Sequence, residues 1–306
     1  MKFDGRRYRP MGMLDLFDEA FDLYKKNLGL LLLIVGIVYV PAVGVGTYVI
    51  MPAVKDMIAD TPGDFDGVMA WLGPYVGPLG VVAPLAAVLA ALAISALTAA
   101  VCARYLGEPI TLRESFRRSL PLIAPVAVGF LVYFVLVSFG YAMCVVPGFI
   151  VQACCIPLQF FIQALVVENS KGLFKGLSRS FNLAKGQGSH LLGAHSVHWF
   201  LWMVLMLATI GVIQLIAELA VRSAIPLLPL LAAHTDLSSV IGTELAIMIL
   251  MPFQVCVVSI LYFDLRIRKE GYDMEILAQS LGYPPVELPP AAKLPKAATA
   301  RKGARP

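Results

Sequence analysis

Charged residues are scarce in this 306-residue chain. Asp, Glu, Lys and Arg make up 14% of it, and apolar residues make up 59%. A soluble domain usually has about 25% charged residues, so the composition excludes an ordinary soluble globule. A membrane β-barrel is excluded as well, because its strands would alternate apolar and polar residues, whereas the long runs of this chain are apolar on every face.

Several signatures of other protein classes are missing. The five cysteines contain no C-x-x-C pair and all lie in apolar runs, which argues against a zinc site or a disulfide framework. His195 and His198 share a helical face, but no acid or Cys lies beside them at ligand spacing, so we predict no metal. No nucleotide-binding or hydrolase motif occurs, so no catalytic residue and no cofactor is predicted. The first 27 residues lack an apolar segment, and we expect no cleavable signal peptide.

Long apolar runs are what the chain does have. A helix needs roughly 20 apolar residues to cross a bilayer, and six runs qualify. They predict an all-α fold, a polytopic integral membrane helical bundle of about six transmembrane helices, in a single membrane domain over residues 1–283. The predicted spans are 28–50, 79–103, 122–146, 149–167, 191–217 and 240–263.

The positive charges are sorted by loop. All but two of the 24 Lys and Arg residues fall in segments 1–27, 104–121, 168–190 and 264–306, and the exceptions are Lys55 and Arg222. Positive residues near transmembrane ends are retained in the cytoplasm. We therefore predict that both termini are cytoplasmic and that the net charge reflects topology, with no nucleic acid partner.

Amphipathic segments precede three of the predicted hairpins, at residues 14–26, 111–120 and 171–185, and a fourth follows the last span at 273–281. The order predicts a threefold internal repeat with interfacial helices, of which the second begins with a Thr111–Glu114 capping box. Such helices lie among headgroups, where cations meet anionic lipid; the alternative is that they cap the bundle and touch little lipid. The candidate headgroup contacts are Lys25, Lys26, Arg117, Arg118, Lys175, Arg179, Arg266 and Arg268.

Polar side chains inside the predicted spans are candidates for a functional site. They are Gln152, Gln159, Gln163, Gln214 and Gln254. Gln159 and Gln254 each follow a proline by two residues, and a proline frees the carbonyl four residues before it. We expect both glutamines to face the bundle interior. There they would either form hydrogen bonds between helices or line a path for a solute. Residues 284–306 are rich in Pro and basic residues and predict a disordered basic tail.

Three stretches, 9–27, 166–181 and 261–275, carry a family resemblance; the last reads Leu261-Tyr-Phe-Asp-Leu-Arg-Ile-Arg-Lys-Glu-Gly-Tyr-Asp-Met-Glu275. Together they resemble the membrane domain that precedes the catalytic barrel in some bacterial glycerophosphoryl diester phosphodiesterases. That domain also occurs alone in uncharacterised bacterial membrane proteins. The resemblance covers residues 9–280 and implies a location in the bacterial inner membrane.

The catalytic motifs of that family are not among these residues, since none of the four histidines precedes an Arg. We therefore expect a non-enzymatic protein that organises membrane lipids, or an unidentified membrane protein partner, at the cytoplasmic leaflet. The alternative is a passive pore, or a small-solute or lipid transporter, built around the Pro-x-Gln helices.

Overall fold

The regular structure of the chain is helical, as the apolar runs predict. A computed structural model describes residues 9–45, 65–168, 172–222 and 235–281, and every regular element within those ranges is a helix. Short 3₁₀ turns occur at Leu120–Leu122 and Ile156–Leu158. The α-helices are α1 (Met13–Val45), α2 (Phe65–Tyr105), α3 (Leu112–Ser119), α4 (Ile123–Met143), α5 (Val145–Cys155), α6 (Phe161–Val167), α7 (Leu173–Ala184), α8 (Gly188–Arg222), α9 (Thr235–Glu270) and α10 (Tyr272–Ser280).

Five stretches of the described chain are long and apolar enough to cross a membrane, which indicates a membrane-embedded protein. They are Pro84–Tyr105, Leu112–Val137, Val146–Val167, Gly188–Ile216 and Leu245–Glu270. The predicted first span is described only as far as Val45, and the predicted tail at 284–306 lies outside the described residues. The all-α membrane bundle is therefore confirmed, while the count of six spans and the threefold repeat stay predictions.

The first amphipathic segment is not a separate helix. We predicted an interfacial helix at 14–26 followed by a span from 28, but α1 runs through both without interruption. No proline or glycine separates the two segments, and the side-chain amide of Asn27 donates to the carbonyl of Leu23 at 2.9 Å. The predicted boundary at 26–28 is wrong because a change of polarity alone does not end a helix.

The other amphipathic helices form close to their predicted positions, as α3, α7 and α10. Thr111 caps α3 as predicted, since its hydroxyl accepts the backbone N–H of Glu114 at 3.3 Å. The Glu114 carboxylate pairs with Arg117 and Arg118. The cap of α3 therefore comes from the threonine, and the glutamate stabilises the same helix through i,i+3 and i,i+4 ion pairs.

The boundary between the third and fourth predicted spans, 122–146 and 149–167, lies at Cys144, inside the predicted third span. Cys144 is extended, with φ −179° and ψ 163°, between α4 and α5. The two helices approach closely through glycines: a Cβ at Gly140 would lie 3.2 Å from the Gly148 backbone. Val151 packs at the same point, with its Cβ 3.1 Å from that position, so there is no room for a side chain at residue 140.

The fourth predicted span is broken, which corrects our prediction of one continuous helix at 149–167. Its two halves, α5 and α6, are joined by the 3₁₀ turn that contains Pro157. Proline lacks an N–H and interrupts the α-helical hydrogen-bond series. Pro252, in the matching Pro-x-Gln motif, is accommodated inside α9, so the two similar motifs have different structures.

Helix α2 occupies the centre of the bundle. It packs on α1, α4, α6 and α9, and α9 packs in turn on α1 and α8. The centre is lined by small and branched side chains, among them Ala96, Leu97 and Ala100, all fully buried. Small residues let membrane helices approach closely. Helix α8 lies at the periphery and leaves much of its apolar surface exposed.

Gly176 provides a test of how closely α7 packs against α6. A Cβ at this position would lie 2.9 Å from Leu165 Cγ and 3.2 Å from the Phe161 carbonyl oxygen. We expect Gly176→Ala to lower the free energy of unfolding in detergent by about 1–3 kcal/mol, the range for overpacking. Gly211→Ala is the control, because nothing lies within 4 Å of its Cβ and alanine favours helix by about 0.5–1 kcal/mol. Equal stability of the two variants would contradict the close approach of α7.

Candidate functional site

The five intramembrane glutamines do not form one site. Gln163 is buried, Gln152 and Gln159 are half-buried, and Gln214 and Gln254 are exposed. The expectation that both Gln159 and Gln254 face the bundle interior is therefore wrong for Gln254. A shared hydrogen-bond network of these two residues is not supported, since one of them lies on an outward face of α9.

Hydroxyl groups, and not glutamines, pair the carbonyls beside the two prolines. The Ser180 hydroxyl donates to the Pro157 carbonyl at 2.5 Å, and the Tyr24 hydroxyl donates to the Ile249 carbonyl at 3.0 Å. The carbonyl of Ala153, four residues before Pro157, accepts the N–H of Ile156. The carbonyl freed by Pro157 is thus paired by the backbone, whereas the two hydroxyls, from α7 and α1, pair neighbouring carbonyls.

Gln163 is the glutamine whose environment is informative. It is 3% exposed, and its Oε1 atom has no hydrogen-bond partner in the part of the chain that the structure describes. An unpaired buried polar atom costs about 1–3 kcal/mol, so we expect Gln163→Met to raise the free energy of unfolding by about 1 kcal/mol. Gln254→Met, at an exposed position, is the control with an expected change near zero. A clear loss of stability in Gln163→Met would mean that a bound water or solute pairs the amide.

The eight basic residues that we predicted as headgroup contacts divide into two groups. Five have exposed side chains: Lys25, Lys26, Arg117, Arg118 and Lys175. The other three, Arg179, Arg266 and Arg268, have side chains that are only 11% to 28% exposed and that form ion pairs within the protein. The prediction is corrected for Arg179 and Arg266, because their guanidinium groups are partly or largely buried against carboxylates of the same chain.

Arg179 is the centre of one ionic cluster, which joins α6, α7, α9 and α10. Its Nε lies 2.7 Å from Glu168 Oε1, and its Nη2 lies 2.7 Å from Glu270 Oε2. Tyr262 donates its hydroxyl to Glu168 at 2.8 Å. We call Glu168, Arg179, Tyr262, Arg266, Glu270 and Glu275 the Arg179 cluster.

The electrostatics of the Arg179 cluster favour the charged state of its central residue. Burial by itself would lower the pKa of Arg179, but the hydrogen bonds to Glu270 and Glu168 outweigh burial and raise the pKa above its ordinary value. Arg266 extends the cluster, because its Nε lies 3.2 Å from Glu270 Oε2 and its guanidinium lies over the Tyr272 ring at 3.7 Å. The cluster therefore holds two arginines against three carboxylates at the junction of four helices.

A second ionic cluster surrounds Asp264, whose side chain is fully buried. One carboxylate oxygen accepts the N–H of Met11 at 2.8 Å, and the other lies 2.7 Å from Arg268 Nε and 3.1 Å from His190 Nε2. Arg268 also donates to the Met11 carbonyl at 2.6 Å. We call Met11, His190, Asp264 and Arg268 the Asp264 cluster; it fixes the segment before α1 to the ends of α8 and α9.

The two clusters were not predicted as sites. The sequence showed that acids follow the fourth and sixth apolar runs, at Glu168 and Asp264. Apart from Arg268, four residues after Asp264, their partners lie 11 to 253 residues away along the chain. One available signal was that these acids are at the ends of apolar helices, where an unpaired carboxylate is costly. Among the described residues, no group of three or more His, Cys, Asp or Glu could hold a metal.

Opposite faces of α7 have different surroundings. Gly176, Ser180 and Ala184, at a spacing of four residues, are buried against the rest of the bundle. Phe174 and Phe181, at a spacing of seven, are 84% and 53% exposed. On α1, Leu14 and Phe21 repeat the pattern, with 80% and 50% exposure. The small residues and the aromatic pair of α7 therefore lie on different faces of the helix.

The described chain is thus a helical membrane protein in which ionic clusters join the ends of its helices and amphipathic helices keep apolar side chains exposed. No model of a known protein family, no curated protein and no solved structure matches it. Function must therefore be inferred from the residues themselves.

Proposed function

We propose that this chain is a non-enzymatic protein of the bacterial inner membrane, which organises lipids or partner proteins at the cytoplasmic leaflet. We further propose that it is related to the membrane domain of the glycerophosphoryl diester phosphodiesterases, on the strength of the motifs at residues 9–27, 166–181 and 261–275. The observation that carries the proposal is the exposed apolar surface of α1 and α7, at Leu14, Phe21, Phe174 and Phe181.

Exposed aromatic residues next to lysines suit the interface between headgroups and acyl chains. Lys25 lies over the Phe21 ring at 4.6 Å, and Lys175 adjoins Phe174 in sequence. Amphipathic helices bind at this depth through their apolar face, and cationic residues add attraction to anionic lipids. The ion pairs of the Arg179 cluster support the same role, because they hold α7 firmly while its aromatic face stays free.

The proposed orientation is tested by reporter fusions. Fusions after Arg118 and Lys185 should report a cytoplasmic location, and fusions after Asp60 and Asp236 should report the opposite side. The reason is the retention of Lys and Arg on the cytoplasmic side and their near absence from the segments around Asp60 and Asp236. A cytoplasmic signal at Asp60 would contradict the proposed topology.

The proposed lipid role is tested with the full chain reconstituted into nanodiscs of phosphatidylcholine and phosphatidylglycerol. Lipids that co-purify after detergent exchange should be enriched in phosphatidylglycerol, and Lys25→Gln with Lys26→Gln should reduce that enrichment. Arg9→Gln with Arg113→Gln, which removes two exposed charges that are not among the predicted headgroup contacts, is the control for net charge alone. No enrichment over the nanodisc composition would contradict direct lipid organisation. Hydrolysis of glycerophosphodiesters by the purified chain would contradict the non-enzymatic proposal.

A passive pore is the second candidate, and the break at Pro157 favours it. Broken helices build many transporter sites, and the half-buried Gln159 follows this break directly. If the chain conducts small solutes, liposomes that contain it should show flux that Gln159→Leu abolishes. Flux that is equal in empty and protein-containing liposomes would remove this candidate.

A further inference from the structure

Helix α7 contacts the broken fourth span at the break itself. Ser180 accepts the N–H of Phe160 at 3.1 Å while its hydroxyl donates to the carbonyl of Pro157. One side chain of α7 thus pairs backbone groups on both sides of the turn between α5 and α6. Because both bonds depend on the position of Ser180, a displacement of α7 would leave a donor and an acceptor of the break unpaired.

The contact between α7 and α6 is tight and directional. Gly176 lies so close to Leu165 and to the Phe161 carbonyl that a Cβ would clash. Arg179 binds Glu168 at the end of α6 and Glu270 at the end of α9. These contacts make α7 a rigid attachment to the break, so that a force on the outer face of α7 is transmitted to Pro157 and Phe160.

The outer face of α7 fits a lipid surface better than it fits water. Phe174 and Phe181 lie two turns apart on the exposed side, and Lys175 next to Phe174 is exposed as well. An aromatic pair with an adjacent cation is typical of helices that bind anionic bilayer surfaces. The five membrane-crossing stretches of the same chain place a bilayer around this bundle.

We propose that an anionic bilayer surface is the partner of the exposed face of α7, and that α7 transmits this contact through Ser180 to the helix break at Pro157. The inference rests on the proposed function for the presence of α7 at the inner leaflet, and it adds a consequence inside the bundle. Contact with lipid holds α7 in place, so that Ser180 stays hydrogen-bonded to Pro157 and Phe160. Loss of this contact would break those hydrogen bonds and loosen the packing around the turn.

The chain contains a native probe of the break. Cys155 ends α5 beside the 3₁₀ turn and is 7% exposed, so its reaction with a maleimide reports loosening. The full chain would carry Cys102→Ala, Cys144→Ser, Cys154→Ser and Cys256→Ala, and would be placed in vesicles of phosphatidylcholine with or without phosphatidylglycerol. We expect slower labelling of Cys155 when phosphatidylglycerol is present.

Three variants separate the steps of the proposal. Ser180→Ala should speed labelling of Cys155 several-fold in both kinds of vesicle, because it removes the pairing at the break. Phe174→Gln with Phe181→Gln should speed labelling in vesicles that contain phosphatidylglycerol and abolish the difference between lipids. Met274→Gln with Leu281→Gln is the matched control, since both residues are exposed, lie seven positions apart as Phe174 and Phe181 do, and are outside the apolar surfaces of α1 and α7; it should leave the labelling rate unchanged.

A second readout distinguishes failure of this inference from failure of the proposed function. A separate variant with all five cysteines replaced would carry Ser178→Cys, an exposed position between Phe174 and Phe181, with an environment-sensitive fluorophore whose blue shift reports contact of α7 with lipid. A blue shift without any response of Cys155 to the phenylalanine changes would overturn the coupling and leave the lipid role intact. No blue shift in either vesicle or in native membranes would overturn both. A blue shift in native membranes but not in pure lipid would assign the face to a protein partner and overturn the inference.

Discussion

Replacing Arg179 with methionine is expected to lower the free energy of unfolding by about 3 kcal/mol, because it leaves partly buried carboxylates without their partner. Arg179 binds Glu168 through Nε and Glu270 through two guanidinium nitrogens. The side chains of all three residues are between 21% and 28% exposed. Water therefore screens the pair only in part, and the expected loss is well above that of a surface pair.

The measurement is a denaturant titration of the folded chain in detergent micelles, followed by the helical signal. Arg117→Met is the matched control: Arg117 also pairs with a glutamate, but its side chain is 74% exposed, and such pairs contribute about 0–1 kcal/mol. Arg179→Lys should give an intermediate loss, since lysine keeps the charge and cannot form the two-sided contact. Losses that are equal for Arg179→Met and Arg117→Met would show that the cluster adds little to stability.

A third variant tests whether the loss comes from unpaired acids. Glu168→Gln with Glu270→Gln removes the charges that Arg179→Met leaves behind, so the triple variant should recover part of the lost stability. Residues in one ionic network give non-additive changes in free energy. Strictly additive losses would mean that Arg179 acts through packing of its aliphatic chain and not through its charge.

The sequence was most informative where a single physical property decided the structure. Long apolar runs located the membrane-crossing helices, because burial in lipid requires such runs whatever the neighbours are. Helical periodicity and a threonine cap located α3, and periodicity alone located α7 within two residues of its observed limits at Leu173 and Ala184. These properties are local, so they can be predicted without knowledge of the packing.

What the sequence could not supply depends on contacts between distant residues. The Pro157 and Pro252 motifs look alike, yet only the former interrupts its helix, where Ser180 from α7 pairs the turn. The exposed position of Gln254 likewise follows from how α9 is rotated against its neighbours. One overlooked signal was local: the spacing of Gly176, Ser180 and Ala184 identifies the buried face of α7, because small residues at intervals of four mark close helix packing.

Replacing Asp264 with alanine is expected to release the segment before α1 from the rest of the bundle. Asp264 is fully buried and accepts hydrogen bonds from Met11 and Arg268, with His190 at 3.1 Å from its second oxygen. Removing one member of a buried charged pair typically costs about 3–5 kcal/mol, since the partners keep their desolvation cost and lose their attraction. We expect a loss near the lower limit, because Arg268 is 28% exposed and keeps its bond to the Met11 carbonyl.

Hydrogen exchange gives this prediction a local readout besides global stability. The amide of Met11 should be protected in the native chain and should exchange rapidly in Asp264→Ala, since its acceptor is lost. Asp264→Asn should be intermediate, because an amide oxygen still accepts from Met11 but no longer offsets the charge of Arg268. Asp15→Ala is the matched control: its pair with Arg9, at 3.4 Å, is exposed, so its removal should change stability by less than about 1 kcal/mol. Unchanged protection of Met11 in Asp264→Ala would mean that other contacts hold the segment, and that the buried carboxylate serves His190 and Arg268 alone.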